Sequence, residues 1–162
     1  MQLKGKLLET SRETRSLIVL YLVITSIGFL SALQFVDRTT SGTPKGIQEN
    51  YLGNEEDLQA TELKFAMSER QILNIIHAHM LSIGMLFFIL ALLVATTPLG
   101  GILRKLLLFE PLVSVFLTFG GIYWLWKGIL WMRYVVMLSG ILMTLSYILS
   151  IVVLGYWLFK RN

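Results

Sequence analysis

The chain has 162 residues, 55% of them hydrophobic and only 15% charged, with a mean hydropathy of +0.68. A soluble domain carries about 25% charged residues to coat its exterior, so a water-soluble globule is excluded, as are disordered, collagen-like and zinc-finger chains. The net charge is +4, yet the basic residues form no stripe or cluster suited to phosphates, so no nucleic acid is expected as a partner.

The charges are confined to a few places. Ser16–Phe35, Gln71–Leu103 and Tyr134–Phe159 contain no Asp, Glu, Lys or Arg, and about 20 apolar residues are enough for a helix to cross a bilayer. The chain opens on a charged lead, Lys4, Lys6, Arg12 and Arg15, followed by the apolar stretch Leu17–Phe35. That core is longer than the 7–15 residues or so of a cleaved signal peptide, and Ser31-Ala32 sits between leucines. An uncleaved first span over residues 17–35 is expected.

Residues 36–70 form the one sizeable aqueous loop. Gly42, Pro44, Gly46 and Gly53-Asn54 are turn formers. Asn54 before Glu55-Glu56-Asp57 has the pattern of an N-cap with acids in the first turn. It predicts a short helix over about Glu55–Ala66, with Leu58 and Phe65 resting on the membrane surface. The acidic trio lacks EF-hand spacing and is read as solvated. Ser68 and Gln71 then have the capping-box spacing that starts a second span.

That second span covers about 71–97 and is ended by Pro98 and Gly100-Gly101. A third runs over about 106–126, beginning near Leu106 or Pro111, and a fourth over about 131–159. Tyr123, Trp124, Trp126, Trp131 and Tyr134 bracket the turn between spans three and four, as an interfacial belt would. The expected class is all-α: a polytopic membrane protein, one domain over residues 1–162, with four transmembrane helices in a bundle and the outer loop 36–70.

Basic residues set the orientation. Lys4, Lys6, Arg12, Arg15, Arg104, Lys105, Lys160 and Arg161, eight of the fourteen, fall on one side in short segments. Both termini are therefore expected in the cytoplasm, with the loop outside, in a bacterial inner membrane. Seven of the ten acidic residues lie in the loop.

The only two histidines, His77 and His79, share the second span. Ionisable residues inside a span are costly and ordinarily face a bundle interior or wet cavity, and neutral imidazole is a standard ligand of metals and haem iron. Residues two apart on a helix point about 200° away from each other, so one ion cannot easily take both. His77 shares its face with Asn74, Leu81 and Gly84; His79 shares its face with Ile75, Ile83 and Leu86. The alternative is that each imidazole hydrogen-bonds a neighbouring helix. Met80, Met85, Met132 and Met137 are further sulfur donors, though methionines in spans usually serve packing. The chain has no cysteine, which excludes thiolate metal sites, iron–sulfur clusters and covalent haem attachment.

Two other charges lie at span margins. Arg133 opens span four on the outer side, where it can neutralise haem propionates or simply snorkel to the interface. Glu110, just before Pro111 and near Arg104 and Lys105, is read as an N-terminal acid on span three. A proton path from Glu110 to the histidines would have only Ser82, Ser114, Thr118, Ser139, Thr144 and Ser146 to run through. Gly84, Gly120-Gly121 and Ser139-Gly140 permit close helix contacts and fit a tight bundle or a homodimer.

His77-Ala78-His79-Met80-Leu81 followed by Gly84-Met85-Leu86-Phe87-Phe88 resembles the His-x-His helix of small four-span bacterial membrane proteins. More distantly it is similar to the helix of haem–copper oxidase subunit I, whose two histidines on opposite faces serve two haems. The resemblance covers about 25 residues, and the chain lacks the additional histidines that an oxidase needs. What it implies is haem ligation at His77 or His79, not oxygen reduction. The sequence thus leads to a small membrane protein holding b-type haem or a transition metal, in electron transfer or sensing. The competing reading is a non-catalytic accessory or assembly subunit of a larger membrane complex, with the outer loop as its partner surface. No hydrolytic apparatus is visible.

Overall fold

The computed structural model describes residues 4–57, 59, 60 and 62–160. After a short 3₁₀ turn, Lys6–Glu9, come five helices: α1 (Arg12–Thr40), α2 (Pro44–Leu52), α3 (Glu69–Thr96), α4 (Gly101–Trp126) and α5 (Met132–Phe159). No strand occurs among the described residues. The four long helices, α1, α3, α4 and α5, are each apolar and long enough to cross a membrane. They cover the four expected spans, except that α3 ends one residue before the expected 97 and α5 starts one residue after the expected 131.

Local chemistry explains most helix ends. Ser68 accepts from the Gln71 amide while the Gln71 side chain accepts from the Ser68 amide, the reciprocal cap expected at this point. The Ser11 side chain accepts from the Thr14 amide at the start of α1. Helix α4 begins at Gly101, five residues before the expected start, and carries Pro111 in its interior. Membrane helices tolerate such a proline because neighbouring groups take up the freed backbone polarity.

Three consecutive antiparallel helices, α3, α4 and α5, form the centre. Phe87, Leu90 and Val94 of α3, Val115, Ile122 and Leu125 of α4, and Leu154 of α5 are almost wholly buried. Helix α1 is the least embedded: of its 29 residues, Ile18, Leu22, Phe29 and Thr40 are buried. It docks through aromatics. Phe29 stacks on Tyr147 of α5 with ring centroids 4.0 Å apart and meets Phe87 of α3 edge-on at 6.3 Å. The Tyr21 hydroxyl donates to the Leu86 carbonyl at 3.2 Å, and Ser26 and Tyr147 share a hydrogen bond of 3.1 Å.

One end of the bundle carries the described chain ends; the Gly5 amide there donates to the Thr97 carbonyl at 3.4 Å. The opposite, loop end is roofed by α2 and the extended segment 63–68. The Trp126 indole donates to the Met67 carbonyl at 2.8 Å, and the Met67 amide to the Tyr51 carbonyl at 3.1 Å. Lys127 lies 4.5 Å from the centroid of the Trp126 ring and 3.8 Å from the Glu69 carboxylate.

The loop differs from the sequence expectation. Residues 55–66 are not helical where described; the loop helix is α2, further upstream. Thr43 caps it by accepting from the Gly46 amide, and Pro44 occupies its first position, where a missing amide hydrogen is harmless. The Asn54 side chain is drawn away from capping. Its oxygen accepts from the Lys64 amide at 2.7 Å and its nitrogen donates to the Glu62 carbonyl at 2.9 Å, closing a loop. Asp57 pairs with Lys45 at 3.1 Å; the ammonium hydrogen bond holds the exposed carboxyl below its ordinary range. Phe65 is exposed, as expected; Leu58 lies outside the described residues.

Burial under this roof pushes the Tyr51 hydroxyl up to about 12 from an ordinary 10.0. The unfolded or undocked chain therefore gives up that proton first. Docking of α2 is expected to hold below about pH 10 and weaken progressively as the pH rises toward about 12. Tryptophan fluorescence in detergent, followed through alkaline titration and compared with Tyr51→Phe, checks this; identical profiles would refute it.

Candidate functional site

The histidines occupy the ninth and eleventh positions of the 28-residue α3, about 12–15 Å along its axis from Glu69. Neither is buried in the bundle. Asn74, His77 and His79 are all exposed, as are Ala78, Leu81 and Ser82 beside them. This corrects the inward orientation expected from the sequence. Helix α3 turns Ile72, Phe87, Leu90 and Val94 toward its neighbours instead, so its polar residues go to the outside.

His79 is the better defined of the pair. Its Nδ1 lies 2.8 Å from the carbonyl oxygen of Ile75, one turn back. A carbonyl only accepts, so Nδ1 carries a proton, and in the neutral ring Nε2 keeps its lone pair. The ring also leans on Phe119 of α4, with centroids 5.1 Å apart. An imidazole fixed through Nδ1–H with Nε2 free has the tautomer that binds metals. Among the described residues no three His, Cys, Asp or Glu side chains come together as a metal site. Met80, Met132 and Met137 pack against the core, and Met85 is exposed. One chain thus offers one oriented nitrogen, with His77 on another flank of the helix.

Arg133 belongs to the roof rather than to the histidines. It donates to the Gln48 side chain of α2 at 2.5 Å and to the Tyr134 hydroxyl at 3.2 Å, with its guanidinium 4.9 Å from the Tyr134 ring centroid.

Glu110 is not an N-terminal acid. It is the tenth of the 26 residues of α4, and both its oxygens accept hydrogen bonds, Oε1 from Ser114 and Oε2 from Ser146 of α5. The seam continues toward the loop end, where Thr118 and Ser139 bond at 2.7 Å, both buried. The signal was present as Glu110, Ser114 and Thr118 at four-residue spacing, which puts all three on one helix face.

Two grooves lie elsewhere. One, of about 440 Å³, runs between α1 and α5 beside Arg15 and Phe159. The other, of about 310 Å³, opens at the roof between Arg38, Asn50 and Lys64. Neither is lined by a histidine.

A family model, described as a transmembrane helical domain, matches residues 41–162, from the end of α1 through α5. No curated protein and no solved structure matches the chain.

Proposed function

The chain belongs to the Aq_1264_TM family, a transmembrane helical domain, and on that premise we propose that it is a small subunit that assembles within the bilayer through the outward flank of α3. The observation that carries this is the exposure of Asn74 and His77, which share one face in the membrane-spanning part of that helix. Against lipid tails an amide and an imidazole are costly; against another helix they become interhelical hydrogen bonds, with Ala78 and Ser82 permitting close approach. The partner surface moves accordingly from the loop to α3. A second copy, forming a homodimer, or another subunit of a membrane complex can supply the facing helix. On this reading the membrane is a bacterial inner membrane, and the distribution of basic residues supports an orientation with the chain ends in the cytoplasm and the α2 roof outside.

The absence of cysteine makes the test direct. Single cysteines at Asn74, Ala78 and Ser82 are expected to give covalent species larger than the monomer on oxidation or mild cross-linking in native membranes. Phe87→Cys, on the buried flank, is expected to stay monomeric. Monomer alone at all four positions would overturn the assignment.

A second reading, haem b or transition-metal binding in electron transfer or sensing, is favoured by the free Nε2 of His79. Two copies meeting along the His79 side of α3, rather than along the Asn74 face, would offer one such nitrogen each, a pair of axial ligands for an iron. Purified protein is then expected to show a Soret band, or bound metal by elemental analysis, lost in His79→Ala. A colourless, metal-free protein would end this reading and leave the assembly proposal standing.

A further inference from the structure

We propose that Glu110, Ser114 and Ser146 form a reversible proton-binding site at the middle of the membrane, on the α4–α5 interface. Depth is the first argument. Ser146 is the fifteenth of the 28 residues of α5, so the carboxylate that it contacts sits at mid-span. Glu110 itself is half-buried, and its partners Ser114 and Ser146 are each 2% exposed, packed between the two helices.

The second argument is the lack of a countercharge. None of the ion pairs among the described residues involves Glu110. On its own helix Arg104 turns to the Ala95 carbonyl at 2.9 Å, and Lys105 is exposed nearer the helix start. Between residues 71 and 96 of α3 the titratable groups are His77 and His79, both exposed. Between residues 135 and 155 α5 offers only Tyr147, whose hydroxyl is engaged with Ser26 and Thr25 of α1; the charges of α1 lie near its two ends. A carboxylate in hydrocarbon without a cation is costly, and a proton is the smallest group that removes the charge. One carboxylate and two hydroxyls are too few oxygens for a hard metal cation.

The third argument is that these partners serve either charge state. When Glu110 is ionised, both serines donate to it, as observed. When it is protonated, its O–H donates to one serine oxygen, and that hydroxyl rotates toward the carbonyl one turn back. Hydroxyls are free rotors with both capacities, and Ser139 already makes this backward bond to the Val135 carbonyl at 2.7 Å. No backbone movement is needed.

A hydrophobic carbodiimide is the probe. The carboxylic O–H adds across its C=N bond to give an O-acylisourea, which rearranges to a stable N-acylurea, so a single reagent mass stays on the protein. In membrane vesicles the wild-type protein is expected to gain one reagent mass, mapped to a peptide containing Glu110, with a yield that falls as the pH rises. Glu110→Gln is expected to lose it, and Ser31→Ala, an exposed position on α1 outside the site, to keep it. An infrared carboxylic C=O band that disappears with rising pH in the wild type and is missing in Glu110→Gln reports the same proton without the reagent. No adduct at Glu110 in folded wild-type protein at any pH, an adduct indifferent to pH, or an unchanged adduct in Glu110→Gln would each overturn the assignment. Protection by sodium ions but not by raised pH would overturn it as well, in favour of a metal cation.

Discussion

Replacing Gly46 by alanine is expected to lift α2 from the bundle. A Cβ at this position would stand 1.8 Å from the Thr40 carbonyl oxygen and 2.6 Å from its carbon. Both are backbone atoms at the end of α1, so no side chain can rotate away. Overpacking that side chains can absorb costs about 1–3 kcal/mol; here α2 or the end of α1 must move, and the cost falls at or above that range. The consequences are local and readable. Tyr51 loses its cover, so its hydroxyl returns from about 12 toward 10.0, and Gln48 leaves the Arg133 guanidinium. Absorbance titration of tyrosine checks the outcome: the high-pH step, assigned with Tyr51→Phe, should move down in Gly46→Ala. An unchanged step would mean that α2 stays docked.

The second large effect belongs to the seam between α4 and α5. Gly121 is buried, and a Cβ there would meet Val136 Cγ2 at 2.9 Å. Leucine at 121 wedges the two helices apart along the line that also holds Thr118, Ser139, Glu110 and Ser146. A loss of about 3 kcal/mol or more is expected, seen as a lowered midpoint of thermal unfolding in detergent. Gly120 is the control. A Cβ on that glycine meets nothing within 4 Å, so Gly120→Leu should leave the midpoint close to wild type. Equal midpoints for the two variants would show that α4 and α5 do not depend on this close approach.

The spans were legible because the bilayer imposes length and charge exclusion, and the capping box at Ser68 and Gln71 was legible because it is a local exchange of two hydrogen bonds. What failed depended on competition or on partners distant in sequence. Asn54 has the chemistry of a cap, but Glu62 and Lys64 outbid the helix for its side chain. Thr43 before Pro44 is an equally good helix start, obscured by the turn-forming glycines on either side. The flank of α3 that faces inward could not be read from hydropathy. In a membrane bundle the lipid side is as apolar as the core, so periodicity places Asn74, His77 and His79 on a helix without saying which way it is turned. Glu110 looked terminal because Pro111 resembled a first-turn proline; Ser146, 36 residues on, is a partner that only the packing of α4 on α5 reveals.

The bond from Glu110 to Ser146 also bears on how the chain enters the membrane. A span with an acidic residue in its apolar interior is a poor candidate to partition alone, since an aspartate at a helix centre costs about 2.5–3.5 kcal/mol on insertion scales. Only residues 127–131 separate α4 from α5, and that short connection brings Ser146 and Ser139 alongside before any other helix is required. The pair is therefore suited to leave the insertion machinery together, as a hairpin that shields its own polar seam. Helix α1, with no charge in its central stretch 16–35 and a grip made of the Phe29 aromatic contacts and a few hydrogen bonds, can partition by itself and join when the hairpin is already in place.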